Sequence, residues 1–387
     1  MRPRPIRRPR HPRTASAGSP ERGRRVLVRI LASATAVTIA VAVAGCGGSS
    51  DSDGDGDRSG TQVVTSVSGE KTTIPIRIDR IAEQFPAHTV TDLMLGAGDR
   101  LVAIPQNVKT IPFLRKVYPR IATVPELFAS GGKVNMEELL KLDPDVVSTI
   151  DGGNTLIPFQ QAGLPAVNMS FNNFGQLAPS IELAGTVYGG DATARAKAYV
   201  DYVNGKAEMV RKRLAGLPDA EKPSVVHISS YPPLVVDGGS SLIDDWISIA
   251  GGRDAAKSVP GTHVTVSVEQ LLQWNPDVLI IQTPGGDQGL VAAAAQSVVD
   301  KLAKSPGWAD LKAVKGNRVY VNPQGLYPWD RFGPEEALQI QWAAQALHPG
   351  LFTDLDMRAE TRDFYKKFFN YEPTDADLDL ILQVKDK

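Results

Sequence analysis

The fourteen residues VNMEELLKLDPDVV (134–147) return as VSVEQLLQWNPDVL (266–279), at a constant offset of 132 positions. A phrase repeated so far apart constrains architecture before any other feature does. Asn135 and Ser267 are favourable N-caps, and Glu138 and Gln270, three residues on, complete the sequence pattern of a capping box, so a helix is predicted to start at each. Leu139, Leu140 and Leu142 in one copy, and Leu271, Leu272 and Trp274 in the other, supply an apolar stripe that Pro144 and Pro276 bring to an end. DVVSTI and DVLIIQ follow as short apolar runs suited to a buried parallel sheet. One helix feeding one core strand needs neighbouring strands to bury its faces, so two copies imply two α/β lobes of similar plan.

Between the copies, DATARAKAYVDYVNGKAEMVRKRLAGLP (191–218) has Asp191 as a predicted N-cap. It carries Ala196, Tyr199, Val203, Ala207, Val210 and Leu214 at helical spacing until Gly216 and Pro218 stop it. About 26 residues at ~1.5 Å each give a rod of roughly 39 Å, long enough to lean on both halves. The expected organisation is an N-terminal lobe over 61–187, a connecting helix within 188–218 and a C-terminal lobe over 219–387. That last lobe opens with the strand PSVVHISS and a turn at Tyr231-Pro232-Pro233, and it closes with the strand NRVYVNP and three helical stretches.

The first residues have a different composition and are set aside from the fold. Residues 1–29 hold ten Arg against one Glu; the apolar run ILASATAVTIAVAVAG follows and ends at Val43-Ala44-Gly45-Cys46, around the one cysteine of the chain. This pattern resembles the signal peptide (1–45) and lipobox of bacterial lipoproteins, which makes Cys46 the expected lipidated residue and the membrane a partner through that anchor. Arg24-Arg25 also admits twin-arginine export. Residues 1–45 carry a formal charge of +9 in a chain whose total is −1, so the remainder stands at −10. An acidic body argues against nucleic acid as a partner. The segment 46–60 spaces aspartates like a calcium loop, but Gln62 stands where a bidentate Glu is required, so a tether is expected.

The stretches RIAEQFPAHTVTDLMLGAGDRLVAI, DDWISIAGGRDAA and VYVNPQGLYPWDRFGPEEALQIQWAAQALHP, taken in order with the two repeat copies, resemble class III substrate-binding proteins of ABC importers. These are the iron–siderophore, haem and cobalamin receptors. The resemblance covers nearly all of the chain after the anchor; PWDRFGPEEALQIQW and FYKKFFNYEPTDADLDLIL look most like the iron-complex branch. It implies two α/β lobes joined by one long backbone helix, with the ligand in the cleft between them. It also implies a monomer without a resident cofactor or enzymatic activity, serving ABC-importer permease subunits, with a metal chelate, a ferric siderophore above others, as ligand. Haem, cobalamin or an oxyanion on the same scaffold, or a surface sensor, stay open.

Carried onto this chain, the family's permease-docking acids fall on Glu137 and Glu269, one in each copy of the phrase; stabilisation of a helix start by a nearby carboxylate is their ordinary alternative. Cleft candidates follow from the rule that ligands lie beyond the carboxyl ends of strands. They are Phe85, His88, Gln106, Asp151 and Asn154 from the first lobe, and Tyr231, His263, Tyr327, Trp329 and Arg331 from the second. His88 and His263 can equally be satisfied loop histidines, Tyr327 and Trp329 can cover the core, and Arg331 has Asp330 and Glu335 as alternative partners. A bare-metal receptor is disfavoured, because the four histidines beyond the leader show no close ligand spacing and no thiolate is on hand. No G-x-S-x-G, H-E-x-x-H or phosphate loop occurs in a supporting context for an enzyme.

Overall fold

A hairpin of β1 (Thr61–Thr65) and β2 (Lys71–Pro75) precedes five parallel strands in the computed structural model, which describes residues 60–129, 133–282 and 292–383. These are β3 (Ile81–Glu83), β4 (Leu101–Pro105), β5 (Glu126–Phe128), β6 (Val146–Thr149) and β7 (Ala166–Asn168), in the order β5-β4-β3-β6-β7. Helices α1 (Pro86–Met94), α2 (Pro112–Val117), α3 (Met136–Lys141), α4 (Ile157–Gln161) and α5 (Phe174–Tyr188) connect or follow them, and α6 (Asp191–Arg213) leads away. The leader, Cys46 and the linker up to residue 59 lie outside the described residues.

Beyond α6 a second sheet has the order β11-β9-β8-β12-β13 with β10 also on β8. Its strands are β8 (Ser224–Ser230), β9 (Val235–Asp237), β10 (Arg253–Asp254), β11 (Val264–Thr265), β12 (Val278–Ile281) and β13 (Val319–Val321). The sheet is mixed: β9 runs antiparallel to both neighbours, whereas β10 and β12 each pair with β8 in parallel and β13 pairs in parallel with β12. Helices α7 (Leu242–Ile249), α8 (Val268–Trp274), α9 (Ala292–Leu302) and α10 (Lys312–Lys315) lie within this half, followed by α11 (Glu336–Leu347), α12 (Met357–Phe369) and α13 (Asp375–Ile381).

Strand alternation sorts the apolar residues into layers. Ile81, Val146, Val225, Val278 and Ile280 face one core that runs through both halves, while Ala82 and Val147 face an outer cluster of the first half, and Val226, Leu279 and Ile281 one of the second. The shared core is built on α6. Ala196, Tyr199, Val203, Ala207 and Val210 are buried on it as the periodicity predicts, beside Val90 and Met94 from one half and Trp246, Ile340 and Phe364 from the other. The helix spans 23 residues, about 35 Å, and Gly190 is its N-cap, so Asp191 is the first helical residue and an acid of the first turn. The last two helices cross back: Lys116 pairs with Asp377 at 2.7 Å, and Phe113 packs edge-on against Tyr365 and Tyr371. Residues 357–381 thus brace the first half, although they follow the second in sequence.

Both copies of the repeat form the predicted helix and strand. Asn135 Oδ1 accepts the N–H of Glu138 at 3.3 Å and Ser267 Oγ that of Gln270 at 3.1 Å. The return half of the capping box is not formed: the Glu138 carboxylate takes the Lys141 ammonium at 2.8 Å instead. Leu139 and Leu271 are buried, but Leu140 is 45% exposed and leaves the predicted stripe. The helices stop before the prolines, as Asp143 and Asn275 turn into the left-handed region at φ 43° and 42°. The aspartate after each proline has a role the sequence reading passed over. Asp145 Oδ2 accepts the N–H groups of Asp79 (2.7 Å) and Arg80 (2.8 Å) at the entry to β3, and Asp277 Oδ2 accepts the N–H (2.9 Å) and hydroxyl (2.7 Å) of Ser224 at the start of β8. Each copy therefore pins its own strand to the neighbour it pairs with. Replacing Asp277 by Ala is expected to cost roughly 1.5–3 kcal/mol, as for charge-assisted hydrogen bonds, in urea denaturation at neutral pH. A change below about 0.5 kcal/mol would remove the clamp from the account.

Candidate ligand cleft

Phe85 follows β3, at the carboxyl end of the first sheet, and Tyr327 and Phe332 follow β13 in the second. Their rings meet between the lobes: Phe85 lies 6.3 Å from Tyr327 and 5.8 Å from Phe332 between centroids, all edge-on, and Phe171 stands 6.1 Å from Phe332 on the other side. Edge-to-face contact is favourable for rings that keep part of their surface open, and Phe85, Tyr327 and Phe332 are each partly exposed. Phe332 holds φ 58° and His263 φ 56°. Side chains of this size rarely adopt the left-handed region, and such positions gather at functional sites.

Beneath the aromatics lies a set of buried charges. His227, in the middle of β8, has Nδ1 2.8 Å from Asp237 Oδ2 and Nε2 2.8 Å from Asp330 Oδ2, with all three side chains fully buried. Both ring nitrogens face carboxylates, so both donate and the ring is an imidazolium. Burial alone would drive that proton off; the two carboxylates overcome it and raise the histidine above its usual range. Arg331 reaches Asp237 at 3.2 Å and Asp330 at 3.4 Å, and Ser229 donates to Asp237. Burial would push Asp237 up, but the His227 and Arg331 partners hold it well below the carboxylate range. Two carboxylates, one imidazolium and one guanidinium leave the cluster neutral. From Arg331 one further amino group, Nη1, donates to His263 Nε2 at 3.1 Å. The His263 side chain is 58% exposed, so it is the cluster's opening to solvent.

The other candidates are scattered. Trp329 is fully buried and belongs to the shared core, as its alternative reading allowed; it supplies no lining surface in this conformation. His88 is 4% exposed within α1, packs 5.7 Å from the Phe85 ring, and is held neutral by burial, which lowers it to about 4. Arg331 is paired with Asp330 and Asp237 and not with Glu335, and little of it is exposed. The Tyr231 hydroxyl bonds Ser305 at 2.6 Å and its ring packs on the outer cluster of the second lobe. Gln106, Asp151 and Asn154 are exposed; the loop of the last two is tied to the β1–β2 turn by Gly153 N donating to Glu70 at 2.8 Å. Sequence reasoning missed Phe332, although it adjoins Arg331 in the same phrase, and Phe171. It also missed His227 and Asp237, whose one signal is a titratable residue inside an apolar strand. Glu137 and Glu269 are exposed at the starts of α3 and α8, and Glu137 meets Lys141 at 3.1 Å.

The sequence profile of the periplasmic binding protein family matches residues 81–326, and the chain belongs to that family. Its fold is that of an ABC-transporter substrate-binding protein of the class III type, with two α/β lobes. Among relatives, the molybdate-binding protein MolA of Haemophilus influenzae is 27% identical over 346 residues, covering 81% of this chain and 93% of its own. The haem uptake protein IsdE of Staphylococcus aureus is 27% identical over 223 residues, covering 57% and 71%. A periplasmic solute-binding protein from Veillonella parvula superposes with a TM-score of 0.71 at 28% identity, covering 84% of this chain and 98% of its own.

The charge cluster makes a pH-dependent prediction. A histidine raised in the folded state contributes stability that is full below about 6.5 and is lost as pH rises through its higher folded value. His227→Gln is expected to lose roughly 3–5 kcal/mol at pH 6, because two carboxylates are left sharing one buried guanidinium. In urea titrations the difference from wild type should shrink as pH rises above 6.5. A constant difference would mean that the ring is neutral.

Proposed function

We propose that this chain is an extracytoplasmic, lipid-anchored receptor that captures a metal chelate, a ferric siderophore foremost, and hands it to the permease of an ABC importer. The observation that carries the ligand class is the meeting of Phe85 with Tyr327 and Phe332 from opposite lobes. Aromatic faces suit the apolar edges of a chelate, and His263, backed by Arg331, offers a polar contact for its anionic oxygens. The neutral balance of the buried cluster favours such a ligand over a naked ion, which needs uncompensated charge or a complete set of ligating atoms. Anchoring through Cys46 rests on the Val43-Ala44-Gly45-Cys46 sequence; acyl labelling that persists in Cys46→Ala would refute it.

A free oxyanion is the second reading, favoured by the long match to a molybdate-binding relative. A tryptophan-fluorescence screen separates the two, using ferric hydroxamate, catecholate and citrate chelates, haem, cobalamin and sodium molybdate. Binding of a ferric chelate with Kd weakened about tenfold (~1.4 kcal/mol) by Phe85→Ala is the expected result. Saturation by molybdate alone would transfer the assignment to oxyanions.

Glu137 and Glu269 are proposed to meet the permease. Both are exposed in the first turns of α3 and α8, one in each copy of the repeated phrase, where a partner can reach their carboxylates. Changing both to Ala should leave chelate affinity near wild type while receptor-stimulated ATP hydrolysis by the permease complex falls several-fold. Undiminished stimulation would return them to capping their helices.

A further inference from the structure

Two of the aromatics that meet across the cleft, Phe85 and Tyr327, are each held at the backbone by a buried glutamate, one per lobe. Glu83, the last residue of β3, is fully buried and its Oε1 accepts the N–H of Phe85 at 2.7 Å. Glu335, just before α11, is also fully buried; its Oε1 accepts the N–H of Leu326 at 2.7 Å and its Oε2 that of Tyr327 at 2.9 Å, while the Tyr365 hydroxyl donates to Oε1. We propose that Glu83 and Glu335 are positioning residues for ligand capture, fixing the backbone from which Phe85 and Tyr327 face one another. This rests on the cleft reading given above and adds what sets the clamp's geometry.

The two acids do this with different chemistry. Three donors converge on the Glu335 carboxyl, so both of its oxygens are engaged as acceptors. Burial pushes the group up to about 7 despite these bonds. A glutamine would present its NH2 group to one of the donors and lose that bond. Space is equally committed: a Cβ on Gly325 would strike the Tyr365 hydroxyl and Glu335 Oε1, so the loop before Tyr327 is closed down on the carboxyl. Glu83 has a different partner on its second oxygen. Asp92 lies beside it, with the Ser148 hydroxyl also close to Glu83, and Glu83 Oε2 and Asp92 Oδ2 are both buried. Burial, with Asp92 adding to it, drives Glu83 well above its usual range, and burial raises Asp92 as well, which favours a proton held between the two carboxyls. The other Asp92 oxygen accepts the Tyr188 hydroxyl at 2.6 Å. A glutamine at 83 can reproduce both bonds, its oxygen accepting from Phe85 and its NH2 donating to Asp92.

Calorimetry with ferrioxamine B and with sodium molybdate on Glu335→Gln, Tyr365→Phe, Glu83→Ala and Glu83→Gln tests the assignment. Glu335→Gln and Glu83→Ala should each weaken the bound probe about tenfold. Tyr365→Phe removes one donor from the same carboxyl and leaves the bonds from the Leu326 and Tyr327 N–H groups in place, so it should lower thermal stability while affinity stays within twofold. Glu83→Gln should restore most of what Glu83→Ala loses. Loss of affinity in Tyr365→Phe matching that in Glu335→Gln, or no rescue by Glu83→Gln, would overturn the proposal. Should wild type bind neither probe, the cargo assignment fails separately, and amide exchange decides positioning. Protection should then fall at Tyr327 in Glu335→Gln and at Phe85 in Glu83→Ala, and persist in the other two variants; unchanged protection throughout would overturn it.

Discussion

The fold depends on one apolar seam along α6. Its buried residues, from Ala192 through Tyr199 to Val210, contact side chains of both halves, so each lobe completes its inner layer only when the other is in place. Large apolar side chains buried in this way contribute roughly 1.5–3 kcal/mol each. Small residues at Ala192, Ala196 and Ala207 let neighbours approach the helix closely, and Tyr199 spans the gap with its hydroxyl on the Pro334 carbonyl at 2.8 Å. That last bond ties the seam directly to the segment that carries Tyr327 and Phe332.

Function then sits on a rigid frame. Two sheets with their carboxyl ends turned to a common cleft leave the loops after β3 and β13 facing each other, and polar groups under those loops decide their shape. In the second lobe the network of His227, Asp237, Asp330 and Arg331 is closed on itself, every charge meeting an opposite one within hydrogen-bonding reach. Such a network contributes little net stability compared with an apolar core of the same volume, but it admits few alternative arrangements. This fits a segment whose backbone turns through a left-handed Phe332. A guanidinium expected at the ligand is for this reason drawn inward, and the half-exposed His263 takes its place at the surface.

A comparison of two sites on the same phrase, PWDRFGPEE, shows where reading residues in order fails. Trp329 and Arg331 are separated by one residue and both suggested a ligand, yet one is core and the other is part of an ion network. Their neighbours Phe332 and Glu335 prove to be the cleft aromatic and the acid beneath the loop. The chemistry of the segment was visible; the direction of each side chain was not, because no helical or strand period holds between Asn322 and Glu336.

The sequence by itself determined what is local and periodic. The repeated helix–strand phrase, its N-caps at Asn135 and Ser267, the alternation of Val146 with Val147 and of Val278 with Leu279, and the 3.6-residue stripe of α6 all follow from short-range rules, and together they define two α/β lobes on one helix. Tertiary structure alone decided which polar groups meet. His227 finds Asp237 ten residues on but Asp330 over a hundred away, Glu335 is closed by Tyr365 from another helix, and α12 and α13 return to the first lobe. These pairings have no sequence period, because they arise wherever folding brings a buried donor against a buried acceptor, and desolvation makes each such meeting obligatory once the apolar seam has closed.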